Sequence, residues 1–319
     1  MRLCRYSQNN RVHVGLYDDK FIVPLMAAAE AYTNATHEKQ GKLESENLLD
    51  YLPPDGQHFA AAKKVADWAA RNEGGPTAAR LAHDAAELLV PIPRPNKLLL
   101  LAGNYNEHLT EGGGRATERA ETFPYVFTKP PTTTLNDPYK PVIIPKISPN
   151  SIDWELEQCV VIGRRARHVQ ESEALHYVAG YTVVNDISDR KFRPNPTRKE
   201  RGNDKWFDWE HGKWHDTFCP CGPCIASADA IPDPQVLAMK LSVNGAIKQN
   251  SSTGKQIFPI AAVVAFISDI VTLEPGDLIA TGTPGGVGSA TGTFLKPGDR
   301  IEAWIEGIGT LVSPVMAEK

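Results

Sequence analysis

Up to about residue 95 the apolar positions recur mostly at helical spacing, and alanine is frequent. Pro24 to Tyr32 predicts a helix with proline in its first turn, where a missing N–H is tolerated. From Gln57 to Arg71, residues Phe59, Ala62, Val65, Ala66 and Ala69 fall on one helix face. Gly74-Gly75-Pro76 would end that helix, and Thr77 is placed to cap a third one running through Leu89. Ahead of these, Val12 to Val23 predicts two short strands around Tyr17-Asp18-Asp19. Residues 1–95 therefore read as a small α+β domain, with no ionisable cluster that suggests chemistry.

Pro91-Ile92-Pro93-Arg94-Pro95 marks a boundary, because three prolines in five residues suit neither a helix interior nor a central strand. Residues 96–319 then change to short Val/Ile/Leu-rich runs between Gly, Pro and Asn turns. Strands are predicted at Leu98–Ala102, Tyr125–Thr128, Val142–Pro145, Glu155–Ile162, Tyr181–Asn185, Cys224–Ala226, Ala238–Val243, Asp277–Thr281 and Arg300–Ile305. Clear helices are predicted only at Glu171–Tyr177 and Ile260–Ile270. Many strands and few helices argue for a β-rich α+β fold with an antiparallel or mixed sheet, not a doubly wound one.

Composition narrows the function class. The chain has 319 residues, 41% hydrophobic and 23% charged, and a formal charge of −4. That balance lacks the broad cationic surface of a nucleic-acid binder. No run of eighteen apolar residues exists, so no membrane span is expected. The N-terminus has no apolar signal core, and five cysteines are an odd number. A cytoplasmic setting with free thiols is the expectation.

The sharpest local feature is Asp153-Trp154-Glu155-Leu156-Glu157 leading into the apolar Cys159-Val160-Val161-Ile162. Strand alternation sends Glu155 and Glu157 to one face. Two such close carboxylates repel unless a cation lies between them, and hard oxygen ligands select magnesium, manganese or calcium. The alternative is an exposed edge with two solvated glutamates. Asp186, at the end of the apolar run Tyr181-Thr182-Val183-Val184-Asn185, can complete a three-carboxylate site or simply begin a turn. His108 and Glu111 lie three apart, so on a helical turn they can hydrogen-bond, the pairing a general base needs. Gly112-Gly113-Gly114 beside them suggests the hinge of a lid. Lys213, if buried near a metal, would stabilise enolate charge.

Two tempting motifs carry less. Thr281-Gly282-Thr283-Pro284-Gly285-Gly286-Val287-Gly288 lacks the Gly-Lys-Ser/Thr ending of a phosphate loop and reads better as a pocket wall of closely approached backbone. Cys219-Pro220-Cys221-Gly222-Pro223-Cys224 offers three thiolates, with only His215 or Asp216 near as a fourth zinc ligand, and no second cysteine pair exists. No Gly-x-Ser-x-Gly elbow is present.

Taken in order from Lys97 to Leu311, these segments resemble the fumarylacetoacetate hydrolase family. The resemblance rests on Asn104-Tyr105 with His108 and Glu111, Phe127-Thr128-Lys129-Pro130, Trp154-Glu155-Leu156-Glu157 and Ala179-Gly180-Tyr181-Thr182-Val183-Val184-Asn185-Asp186. It continues through Lys213, Asp216-Thr217-Phe218, Leu273-Glu274-Pro275-Gly276-Asp277 and Thr281-Gly282-Thr283-Pro284 to Lys296-Pro297-Gly298-Asp299. It implies a mixed β-roll or sandwich, commonly dimeric, acting on a small 2-oxo acid. It also implies Glu155, Glu157 and Asp186 as magnesium ligands, His108 and Glu111 as the water-activating pair on a lid, and Lys213 beside the metal. Tyr105, Arg190 and Thr283 would line the substrate pocket. The implied reaction is hydrolysis of the carbon–carbon bond of a 2,4-dioxo acid. Decarboxylation of an oxaloacetate-type acid, isomerisation of a hydroxy-dienoate and silent metabolite binding stay open on the same site. Asp189, the Phe192–Glu210 stretch, the cysteines and Thr253-Gly254-Lys255-Gln256 depart from the family pattern and leave the substrate open.

Overall fold

The computed structural model describes every residue except 42 and 73–78. Its frame is built from strands covered on both faces. Leu156–Ile162 is buried at every position. Leu156, Val160 and Ile162 point into one hydrophobic core, Cys159 and Val161 into another. A strand buried on both sides is dense in apolar residues, as Cys159-Val160-Val161-Ile162 is here, with Glu157 and Gln158 the polar exceptions. Val178–Asn185 is equally buried and pairs antiparallel with it, Leu156 opposite Asn185 and Glu157 opposite Val184.

Among the described residues these two strands lie within a twelve-stranded sheet. On one side the sheet continues through Leu278–Ala280 and the parallel strand Leu98–Ala102 to the edge strand Tyr125–Thr128. On the other it passes through Cys219–Ser227 to Arg2–Gln8, Arg11–Tyr17 and Phe21–Pro24. The join is Arg2 opposite Ala226 and Leu3 opposite Ile225, so the N-terminal strands extend the same sheet. A five-stranded sheet, containing Ala238–Val243, Arg300–Ile305 and Gly309–Ala317, supplies Met239, Leu241, Ile301, Ala303 and Leu311 to the core between the sheets. Helices Leu25–Thr36 and Phe59–Arg71 supply Ala28, Tyr32, Ala62 and Val65 to the second core. The fold is strand-rich α+β, as the density of short apolar runs predicts. No helix among the described residues is long and apolar enough to cross a membrane.

Three expectations are corrected. The helix from Thr77 to Leu89 does not form over its described part. Leu81–Ala82 and Glu87–Leu89 are short strands, recruited by pairing with Phe21–Ile22 and Arg5–Ser7; Thr77 and the Gly74-Gly75-Pro76 stop lie outside the described residues. Glu171–Tyr177 is a 3-10 helix. The Phe192–Glu210 stretch, which carried no predicted element, leads into the helix Asp204–His211. Arg2–Gln8, Ala246–Ser252 and Gly309–Ala317 are strands that periodicity missed. Ala246–Ser252 is polar at five of its seven positions and survives by pairing with Ala238–Val243.

Leu156 is wholly buried between the two glutamates and faces the opposite core. Leu156→Ala should destabilise the protein by about 2–5 kcal/mol in denaturant unfolding. A loss within error of zero would show that this strand is not the packed centre described here.

Candidate active site

Strand register makes the site. Alternation places Glu155 and Glu157 on the face shared with Cys159 and Val161. The pairing of Glu157 with Val184, continued two residues, sets Asp186 opposite Glu155, and the Asp186 amide donates to the Glu155 carbonyl at 2.8 Å. One oxygen from each of Glu155, Glu157 and Asp186 lies within 4.8 Å of the others, and all three residues are buried. Oxygens at that spread can share a divalent ion with bonds of about 2.0–2.6 Å. The donor set is all carboxylate, which suits a hard ion. The residues present therefore fit the expected metal.

Three cations offset these acids. Lys213 Nζ reaches Glu155 Oε2 at 2.8 Å and Asp186 Oδ2 at 2.6 Å. Lys129 pairs with Asp186 Oδ1 and donates to the carbonyls of Ile187 and Phe218 at 2.9 and 2.5 Å. Arg190 sets Nη2 2.5 Å from Glu155 Oε1 and donates from Nε to Asp153 Oδ2 at 2.8 Å. Asp186 Oδ1 and Arg190 Nη2 are buried and are held by these ion pairs. Burial alone would raise the Glu155 carboxyl, but Arg190 and Lys213 outweigh it and hold the group well below the usual carboxylate range. Glu157 accepts the Gly282 amide at 2.7 Å. Burial and then the charges of Asp186 and Glu155 push its carboxyl well up. Burial would lower the Lys213 ammonium, yet Asp186 and Glu155 raise it, so it stays charged.

The short helix Asn106–Glu111 forms the opposite wall. His108 Nδ1 lies 3.1 Å from Glu111 Oε1, and Glu111 Oε2 accepts the Gly286 amide at 2.7 Å. A carboxylate at Nδ1 favours the tautomer with a free Nε2, and that Nε2 stands 4.0 Å from Glu155 Oε1. Burial would raise the Glu111 carboxyl, but His108 and the Gly286 amide bring it below its ordinary value. Glu107 anchors the outer edge through an ion pair with Lys255 and the Ser251 hydroxyl at 3.1 Å. Gly103 and Gly113, with φ of 66° and 81°, supply left-handed turns on either side of the helix.

Between the walls lies a chamber of about 70 Å³ lined by His108, Glu155, Glu157, Arg190, Lys213 and Thr283, with Trp209 and Phe127 also facing it. It adjoins an outer groove of about 500 Å³ that shares Leu101, His108, Arg190 and Trp209 and adds Arg115, Tyr125 and Phe258. A larger cleft of about 680 Å³ beside His83, Leu88 and Tyr139 includes none of the acids.

Eight of the nine sequence-predicted site residues thus surround or support one chamber. Thr283 lines it, but its hydroxyl is committed to the Leu156 carbonyl at 2.9 Å and the Gln249 amide at 2.8 Å. Tyr105 does not line it. Its ring is fully buried in the core between the sheets, its hydroxyl 3.4 Å from Met239 Sδ, because strand-like backbone at this position turns the side chain inward. The zinc reading also fails. Cys219, Cys221 and Cys224 lie on one strand, the first two facing one core and the third the other, all free and buried. Burial pushes the Cys219 thiol up to about 12.

Sequence reasoning missed Lys129, Asp153, Gln249 and Trp209. Lys129 and Asp153 stood inside quoted motifs and had a signal, an ionisable residue beside an apolar strand. Trp209 had only its place in the unusual stretch; it meets Phe127 edge-on at 4.9 Å and lies 5.5 Å from Lys213 Nζ. The glycine-rich segment is the expected backbone wall. Its Gly282, Gly286 and Gly288 amides donate to Glu157, Glu111 and Asp153 at 2.7, 2.7 and 2.6 Å. A Cβ on Gly286 would meet the Lys248 carbonyl at 2.2 Å.

Residues 97–316 match the family described as fumarylacetoacetate (FAA) hydrolase C-terminal. The 2,4-didehydro-3-deoxy-L-rhamnonate hydrolase of Sphingomonas sp. (strain SKA58) is 42% identical over 224 residues, 69% of this chain and 73% of that protein. The mitochondrial oxaloacetate tautomerase Fahd2a of Rattus norvegicus is 36% identical over 230 residues, 72% of this chain and 69% of its own. The maleylpyruvate hydrolase of Sphingobium sp. SYK-6, solved with manganese(II) and pyruvate, superposes over 100% of both chains with a TM-score of 0.71 and 28% identity. This chain belongs to the fumarylacetoacetate hydrolase family.

Proposed function

We propose that the chain hydrolyses the carbon–carbon bond of a 2,4-dioxo acid, releasing a pyruvate-type product and a carboxylic acid. The observation that carries this reading is the His108–Glu111 pair, fixed by the Gly286 amide, with a free imidazole nitrogen 4.0 Å from an acid of the three-carboxylate cluster. On this reading His108 is the base, beside the position where a chelated 2-oxo acid would lie. The relative solved with manganese and pyruvate supports the head group. Magnesium or manganese held by Glu155, Glu157 and Asp186 would act as a Lewis acid on that head.

The side chains divide the remaining work. Arg190 meets the substrate carboxylate at the chamber wall. His108, oriented by Glu111, takes a proton from water, and the resulting hydroxide adds to the distal carbonyl. Collapse of that adduct breaks the bond between the distal carbonyl carbon and C3, and the electron pair moves into a 2-oxo acid enolate. Lys213, charged and aimed at the acids, stabilises the enolate oxygen better than the ground-state carbonyl. His108 then returns its proton to C3. The acyl chain occupies the outer groove beside Trp209.

A second reading, tautomerisation of the same head group, is favoured by one feature: His108 alone suffices to move a proton at C3, without water. Turnover of an acylpyruvate in water labelled with both ¹⁸O and deuterium separates the two. Label in the released carboxylic acid marks hydrolysis, whereas unbroken substrate with exchanged C3 hydrogens marks tautomerisation and overturns the first reading.

Chelator dialysis should abolish turnover, and added magnesium or manganese should restore it for the native protein but not for Glu155→Ala. Full activity without metal would remove the three acids from their assigned role. His108→Ala should lower kcat by about a hundredfold or more while leaving metal affinity, read by calorimetry, close to native. An undiminished rate would exclude His108 as the base.

The Glu111 carboxyl, normally near 4.5, is lowered in the fold, so its contribution is complete above that value and is lost as pH falls through the folded one. Hydrogen exchange at Asn106–Glu111, corrected for intrinsic rates, should show constant protection from neutral pH down to the usual carboxylate range and loosening below it. Protection that persists after Glu111 protonates would mean that another contact holds this helix.

A further inference from the structure

Asp153 is a buried carboxylate with no part in the chemistry just described. It is wholly inaccessible and ends the short strand Ile152–Asp153, which pairs with Ser188–Asp189. Its Oδ1 accepts the amides of Trp154 at 2.8 Å and Gly288 at 2.6 Å. Its Oδ2 accepts the Ser289 amide at 2.9 Å and the Arg190 Nε–H at 2.8 Å. Every partner is a donor, so only a group that accepts at both atoms satisfies the site. An asparagine amide would set N–H against two donors whichever way it turned.

The surroundings restrict Arg190 from the backbone as well. Its amide donates to the Ser151 carbonyl at 3.0 Å, and the Ser151 hydroxyl donates to Asp189 Oδ1 at 2.6 Å. With Nε fixed by Asp153, the outer edge of the guanidinium is left facing Glu155 and the chamber. A charge-assisted hydrogen bond in so dry a place is strong and directional. The same glycine-rich loop holds Glu111 through Gly286 and Asp153 through Gly288.

We propose that Asp153 is the positioning residue for Arg190, aiming the guanidinium at the substrate carboxylate and tying its place to the loop that also docks the His108 helix. This rests on the reading of Arg190 as the contact for that carboxylate. The test is steady-state kinetics on an acylpyruvate with magnesium for Asp153→Asn, Asp153→Ala, Arg190→Lys and the double variants of Asp153 with Arg190→Lys. Calorimetric affinity for oxalate, and thermal melts, accompany each. Asp153→Asn should raise KM about tenfold or more with a much smaller change in kcat, and weaken oxalate in parallel. In the Arg190→Lys background the same change should add little, because its effect runs through Arg190. An unchanged KM in both Asp153 variants overturns the inference. So does an equal KM factor in the two backgrounds, or failure of both variants to fold, which would make Asp153 a structural element of the loop. An unchanged KM for Arg190→Lys alone sinks the underlying reading of Arg190 instead.

Discussion

The structure depends on burying more negative charge than its own cations neutralise. Asp153, Glu155, Glu157 and Asp186 are all enclosed, and among the described residues Lys129, Arg190 and Lys213 are the cations in direct contact with them. Four carboxylates against three cations leave one negative charge in excess. Taking such charges out of water is costly unless they are paired or bonded. The excess falls on Glu157, whose carboxyl is driven up by burial and by its acidic neighbours. A dication would turn the balance into one net positive charge, which suits the anionic 2-oxo acid proposed as substrate. The cluster is thus costly as a structural element on its own.

The glycine-rich loop meets part of that cost with backbone amides. Three of its N–H groups each serve a different carboxylate, Glu157 in the cluster, Glu111 on the His108 helix and Asp153 behind Arg190. Side-chain donors could not be packed so closely; Gly282 and Gly286 adopt φ of 89° and 100°, and a Cβ on either would collide with neighbouring atoms. The three-carboxylate cluster, the His108 helix and the Asp153–Arg190 pair consequently share one support.

Much of this was legible along the chain. The nine expected strands of the second region all form, because each is a short apolar-rich run bounded by turn residues. Legibility failed where pairing overrode pattern. Leu81–Leu89 has helix-compatible residues yet is drawn into edge strands, and polar Ala246–Ser252 is a strand only by virtue of its neighbour. Tyr105 stands in a telling motif but turns into the core, a choice made by a single backbone conformation that no spacing encodes.

Taken alone, the order of residues determined the alternation that puts Glu155 and Glu157 on one face and the three-residue step that lets His108 meet Glu111. Both are local consequences of strand and helix periods. Only the tertiary structure decided that Asp186 lies across from Glu155, that Lys213 and Lys129 arrive from distant segments, and that loop amides cap the acids. Those depend on register and on which elements pack together, where one residue of slip would have sent the carboxylates to opposite faces.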